Sequence, residues 1–134
     1  MAAGLLKHLL PADRKESYTV SSAGTHAAPG LPASDAAVAV MKEEGIDIAD
    51  HRSHQVSKTL VEKADLILAL SESHADFIRR HFPDAAGKTY LLSEYAEKTK
   101  LAQDVQDPAG GTLEEYRETR GQIKQYIEKI AKKM

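Results

Sequence analysis

An aspartate followed by a proline carries the most distinctive chemistry of this sequence. Asp107 lies in the segment Asp104–Gly111, just ahead of a long amphipathic stretch. Pro108 disfavours helical backbone at Asp107 and extends it, while the pair Gly110 and Gly111 predicts a segment that is free to swing. A carboxylic acid in such a loop can protonate a leaving group. Asp-Pro-x-Gly is also an ordinary turn sequence, so other residues must decide between a catalytic acid and a simple turn.

Bulk composition sets the limits on that chemistry. The 134 residues are 42% hydrophobic and 28% charged, with a net charge of −2, and predict one domain over 1–134. No long basic run indicates nucleic acid, and no apolar run has the length of a membrane span. The sequence contains no cysteine, which excludes disulfides, thiolate metal sites and a cysteine nucleophile within these residues. We expect a cytoplasmic protein.

Other candidate chemistry is weak. His51 and His54 could form a metal pair, but no third ligand has convincing spacing, so no metal is expected. Ser22 and Ser71 could be hydrolase nucleophiles, yet neither lies in Gly-x-Ser-x-Gly.

Helical and strand patterns alternate along the chain. We predict helices over 1–10, from Ser34 to Gly45, from Ser57 to Lys63, after a Ser73–Asp76 capping box, and after a Thr112–Glu115 capping box. Strands are expected at Tyr18–Ser22, Leu66–Leu70 and Thr89–Leu92, and a solvated charged segment at Glu94–Lys100. This alternation indicates an α/β fold, a parallel sheet with helices on both faces.

Several of these segments together resemble the low-molecular-weight protein phosphatases. They are Met1–Leu6, Ser21–Thr25, Gly45–Arg52, Ala64–Leu70 and Asp104–Gly111, in the family's order and spacing. The resemblance implies a three-layer αβα domain. It also implies hydrolysis of a phosphorylated protein substrate through a phosphocysteine intermediate, without metal or other cofactor. Asp107 would then be the general acid and base, Ser22 a supporting hydroxyl, and Asp104 a loop-stabilising carboxylate or a catalytic helper.

One part of the family's pattern is absent. Members carry a strand and a Cys-x5-Arg-Ser-Pro loop immediately before the Met-Ala that here is Met1-Ala2. Met1 also opens a helical pattern without an N-cap residue. We therefore expect an N-terminally truncated domain whose first central strand is missing, inactive as given. Whether the chain is an enzyme stays open, and the alternative is a non-catalytic binding or regulatory module on the same fold.

The missing strand has an expected structural cost. Burying the residues of a central strand contributes about 1.5–3 kcal/mol each, against a total stability of about 5–15 kcal/mol. We expect a marginal or rearranged fold, with exposed sheet edges that favour self-association.

The substrate side of the pattern also differs from the family. Aromatic side chains are common at the pocket mouth, after Asp-Pro and after Ser-Ala-Gly, where this sequence has Ala109 and His26. Less aromatic surface disfavours phosphotyrosine and leaves phosphoarginine, the substrate of some bacterial relatives, as an option. The related arsenate reductases need several cysteines and are excluded.

Overall fold

The structure is a computed structural model that describes residues 1–98 and 103–134. Six α-helices and two strands are present in those ranges: α1 Ala2–Leu9, α2 Asp35–Glu43, α3 Lys58–Lys63, β1 Ile67–Ala69, α4 Glu72–His81, β2 Thr89–Leu91, α5 Leu92–Glu97 and α6 Leu113–Ala131. Short 3-10 turns occupy Lys15–Ser17 and Pro83–Lys88.

The two strands form a parallel pair connected through α4. Ile67 is in register with Thr89, and Ala69 with Leu91. Successive side chains of β1 point to opposite faces, because a strand alternates with a period of two. Leu68 packs on the core shared by α1 and α6, whereas Ile67 packs on the cluster of α3 and α4. Helices therefore cover both faces, and the α/β class with a parallel sheet is confirmed.

The main core lies between α6 and the helices α1, α2 and α5. Apolar residues at helical spacing form the inner stripe of α6, and all are almost completely buried: Tyr116, Ile123, Ile127 and Ile130. Leu5 of α1, Met41 of α2 and Leu92 of α5 pack on that stripe. The long helix is thus the element that holds the neighbouring helices in place.

An ionic network joins α2 to α6 at the protein surface. Glu43 accepts from Arg117 at 2.9 Å and from Arg120 at 2.7 Å, and Glu44 accepts from Lys124 at 2.9 Å. Arg120 also donates to the Val40 carbonyl at 2.7 Å, near the end of α2 where carbonyls lack helical partners. These contacts fix α2 against α6.

One predicted strand is wrong, and the start of one predicted helix is misplaced. Residues 18–22 form no strand, because no other strand of the described chain lies alongside them; only Gly24 makes a single bridge, to Gln55. The charged segment at residues 94–97 belongs to α5, and residues 99–100 lie outside the described ranges. Helix α4 begins after Ser71 rather than Ser73, because the Ser71 hydroxyl accepts from the His74 N–H.

Candidate functional site

The loop that contains Asp107 is a closed turn in front of α6. The Asp107 carboxylate is exposed and accepts from the Ala109 N–H at 3.0 Å, and the Gly111 N–H donates to the Pro108 carbonyl at 2.8 Å. Gly110 has a φ of 77°, and a Cβ on Gly111 would lie 2.8 Å from the Pro108 oxygen. The geometry of this turn therefore favours glycine at both positions.

The segment that leads into this turn is hydrogen-bonded to the residues that follow the carboxyl end of β1. Asp104 accepts the Glu72 N–H at 2.8 Å, and the Val105 N–H donates to the Leu70 carbonyl at 2.7 Å. Val105 itself is only 6% exposed. Glu72 is the first residue of α4, where backbone N–H groups lack helical partners and the helix end is positive. Asp104 thus binds the loop to the start of α4.

Helix α6 holds the same loop from the opposite side. Thr119 donates to the Gln106 carbonyl at 3.4 Å, and Gln122 donates to the Asp104 carbonyl at 3.3 Å. The capping box predicted at Thr112 and Glu115 is present. The Asp107 carboxylate is consequently presented to solvent on backbone that is fixed at both ends.

Ser22 lies beside a histidine that the sequence did not single out for this role. Its hydroxyl oxygen is 3.5 Å from Nε2 of His51. Burial lowers the pKa of His51, and the nearby positive charges of the Met1 amino group and Lys7 lower it further. A neutral ring can accept a hydrogen bond from the serine hydroxyl. In the sequence, His51 is notable only for its spacing from His54 and for its place in the segment Gly45–Arg52, and neither signal predicts a contact with Ser22.

His26 is exposed on the loop that follows Gly24. Its Nδ1 lies 3.1 Å from the Thr25 hydroxyl, and its ring meets the edge of Phe77 at a centroid distance of 5.7 Å. Ala109 presents only a methyl group beside Asp107. No hydrogen bond joins Asp107 to Ser22 or to His26 in the described ranges.

Two further properties of the described residues bear on function. No three histidine, aspartate or glutamate side chains there are grouped as metal ligands. In the same ranges, none of the helices combines the length and the apolar character that crossing a lipid bilayer requires.

Comparisons with known proteins identify relatives along the whole chain. The family model for low molecular weight phosphotyrosine protein phosphatase matches residues 1–134. A protein-arginine-phosphatase of Geobacillus stearothermophilus is 38% identical over 134 residues, which is 100% of this chain and 86% of that protein. A probable low molecular weight protein-tyrosine-phosphatase, EpsP of Ralstonia solanacearum, is 37% identical over 108 residues, covering 81% of this chain and 68% of its own.

A solved structure gives the same assignment at the level of the fold. The YwlE arginine phosphatase, as a cysteine-to-serine mutant with a phosphorylated active-site serine, superposes with a TM-score of 0.90 and 32% identity. The match covers 98% of this chain and 84% of the other. The elements therefore keep the arrangement of that structure. Of the two outcomes expected from the sequence, a rearranged fold is wrong, whereas marginal stability stays a prediction.

Proposed function

Because the chain belongs to the low molecular weight phosphotyrosine protein phosphatase family, we propose that it is part of a protein phosphatase that hydrolyses phosphoarginine in proteins. The observation that carries the proposal is Asp107, an exposed carboxylate on a turn anchored at both ends. Such a group can deliver a proton to a leaving group and later take one from water.

The choice of phosphoarginine over phosphotyrosine has two supports. Among the relatives that match nearly all of this chain, an arginine phosphatase is 38% identical, whereas a probable tyrosine phosphatase that covers 96% of the chain is 34% identical. Beside Asp107 the loop offers the Ala109 methyl group and no aromatic ring on which a phenyl phosphate could stack. Both favour a guanidino leaving group.

The proposed reaction has two steps. A cysteine thiolate attacks phosphorus and the P–N bond breaks, while Asp107 gives its proton to the departing guanidino nitrogen. The resulting Asp107 carboxylate takes a proton from water, whose oxygen attacks phosphorus, so that phosphate leaves and the thiolate is restored. In the YwlE mutant, the active-site serine that replaces cysteine is phosphorylated. This supports a reaction in which the phosphoryl group is transferred to the side chain at that position.

The nucleophile must come from outside these residues, because none of the 134 is cysteine. We propose a strand and a Cys-x5-Arg loop preceding Met1. Asp104 would keep the loop Asp104–Gly111, here named the acid loop, in place, and Ser22 with His51 would support the phosphate-binding loop. The chain of 134 residues would then release no phosphate by itself.

The test uses an extended form, in which the in-frame upstream residues, or the equivalent segment of the Geobacillus relative, precede Met1. We expect it to release phosphate from a phosphoarginine peptide faster than from a phosphotyrosine peptide. Asp107→Asn should lower kcat by about 10²–10⁴-fold, the usual contribution of general acid–base catalysis. Asp13→Asn, an exposed aspartate outside the site, is the matched control.

Three outcomes would contradict parts of this proposal. An unchanged rate in Asp107→Asn removes that residue from the mechanism, and a preference for phosphotyrosine overturns the substrate assignment. An upstream stop codon together with an inactive extended form favours the non-catalytic module instead.

Self-association through sheet edges is a separate part of the proposal. In the described ranges β1 pairs only with β2, so each strand has one edge without a partner strand. Sedimentation should show the 134-residue chain forming dimers or larger species that the extended form does not; a monomer in both forms would contradict this.

A further inference from the structure

The loop Gly24–Pro32, here named the rim loop, lies along residues 52–56 and is bound to them at both ends. The Gly24 N–H donates to the His54 carbonyl at 2.8 Å, and the Val56 N–H donates to the Gly24 carbonyl at 2.9 Å. Near the other end, the Gly30 N–H donates to the Ser53 carbonyl at 2.8 Å. These backbone contacts set where the loop leaves and rejoins the domain.

The middle of the rim loop is held by one side chain. Gln55 accepts the Ala27 N–H at its Oε1 and donates from its Nε2 to the Thr25 carbonyl, both at 2.7 Å. The two backbone groups lie immediately before and after His26. The half-buried side-chain amide of Gln55 thus pairs with one backbone donor and one backbone acceptor, as the main chain of a neighbouring strand would. It therefore fixes the backbone on both sides of that histidine.

The ring of His26 is held by separate contacts. Thr25 lies within hydrogen-bonding distance of its Nδ1, and Phe77 of α4 presents an edge-to-face contact at 65° between the rings. Phe77 is in turn stacked on His81 at 4.0 Å. The His26 side chain remains exposed, so a flat ring is presented to solvent in a defined orientation.

We propose that Gln55 is a positioning residue for substrate recognition, acting through His26. The inference rests on the proposed function. His26 would supply the flat surface at the pocket mouth that Ala109 does not, and the planar guanidino group of phosphoarginine would stack on it. Gln55 does not contact the substrate. It fixes the ring beforehand, which lowers the entropy lost on binding.

A purely structural role for Gln55 predicts different kinetics. Loss of loop structure alone would lower activity on all substrates alike. A role through His26 lowers kcat/KM for a phosphoarginine peptide and spares acetyl phosphate, which has neither a guanidino group nor a ring that could stack on His26.

The experiment compares Gln55→Glu with Gln125→Glu in the extended form. Glutamate places a second oxygen opposite the Thr25 carbonyl, whereas Gln125 is exposed on α6 and its change adds the same charge. We expect Gln55→Glu to lower kcat/KM for the peptide roughly tenfold, as one or two net hydrogen bonds would. The rate on acetyl phosphate, and both rates of the control variant, should stay unchanged. His26→Ala should reproduce the loss, and adding Gln55→Glu to it should cause no further loss.

Equal losses on both substrates, or additive losses in the double mutant, would overturn the inference. Phe77→Leu keeps the Gln55 hydrogen bonds and the aliphatic packing on the cluster of α3 and α4, and removes the ring contacts with His26 and His81. It should lower the same substrate ratio even if Gln55→Glu does not fold.

The proposed function and this inference fail in different ways. An extended form inactive on every phosphorylated substrate refutes the former. An active form that is indifferent to Gln55→Glu refutes the latter. Hydrogen exchange in the 134-residue chain gives a readout without activity: Gln55→Ala removes the acceptor of the Ala27 amide, which should therefore exchange faster, and unchanged exchange would contradict the inference.

Discussion

The Ser34 hydroxyl donates a hydrogen bond to the phenol oxygen of Tyr116 at 3.1 Å. Ser34 caps α2 directly after the rim loop, and Tyr116 lies in the first turns of α6 directly after the acid loop. The two loops that carry His26 and Asp107 therefore end at one shared contact, although more than 80 residues separate them in sequence.

Removing the Tyr116 hydroxyl should weaken this contact. Tyr116→Phe leaves the ring in the core but removes the acceptor of the Ser34 bond, at a cost of about 1 kcal/mol. Urea unfolding of the 134-residue chain measures the loss. Tyr18→Phe, at an exposed position, should have no effect. Equal stability of the two variants would show that the Ser34 bond does not contribute.

Asp104 should contribute to stability through α4. Asp104→Ala leaves the Glu72 N–H without its acceptor, and we expect a loss of about 1 kcal/mol, as for other groups that satisfy helix N-termini. Asp104→Asn keeps an oxygen acceptor and should lose less. The measurement is again urea unfolding, with Asp13→Ala as the exposed control. A loss as large for Asn as for Ala would mean that the charge, not the hydrogen bond, matters.

Stability should fall in acid because of Glu43. Hydrogen bonds from Arg117 and then from Arg120 lower the pKa of Glu43 from an ordinary 4.5 to about 2. Since the folded-state pKa is the lower one, its contribution is fully present above about pH 4.5 and is lost as the pH falls towards 2. Urea midpoints of wild type and Glu43→Gln should differ at pH 7 and converge near pH 2. Glu128→Gln, an exposed glutamate on α6, should show no such convergence.

Two glycines should respond oppositely to alanine. Gly111→Ala places a methyl group 2.8 Å from the Pro108 oxygen and should destabilise the acid loop. Gly121→Ala meets nothing within 4 Å inside α6 and should stabilise by about 0.5–1 kcal/mol. Thermal unfolding of both variants tests this pair. A stabilised Gly111→Ala would contradict the closed-turn geometry.

The sequence predicted correctly several helix starts that are set by residues within one helical turn. The Thr112–Glu115 capping box begins α6 where the sequence placed it, because both partners lie within one helical turn. The start of α4 was misplaced by two residues. The capping-box pattern of Ser73 and Asp76 favoured the wrong serine. In the structure the Ser71 hydroxyl caps the helix, and Asp104, more than 30 residues away, accepts from the Glu72 N–H. Tyr18–Ser22 has strand-forming residues, but a strand also needs a neighbour.

The residues of the candidate site also differ in whether neighbouring residues in the sequence were enough to identify them. Asp107 could be identified because Pro108 and the glycines lie next to it. The roles of His51, Gln55 and Phe77 depend on segments that approach one another across about 30 to 50 residues of chain. No pattern in the sequence indicates a role for Gln55, because its two backbone partners are distant along the chain.

The hydrogen bonds from Gln55 to the main chain of the rim loop have an evolutionary consequence. The glutamine recognises only main-chain atoms of Thr25 and Ala27, so it places few demands on the side chains of the loop it holds. Descendants could exchange those side chains, and with them the preferred target, without rebuilding the scaffold. A glutamine that is retained while the residues opposite it diversify is the record such a history would leave.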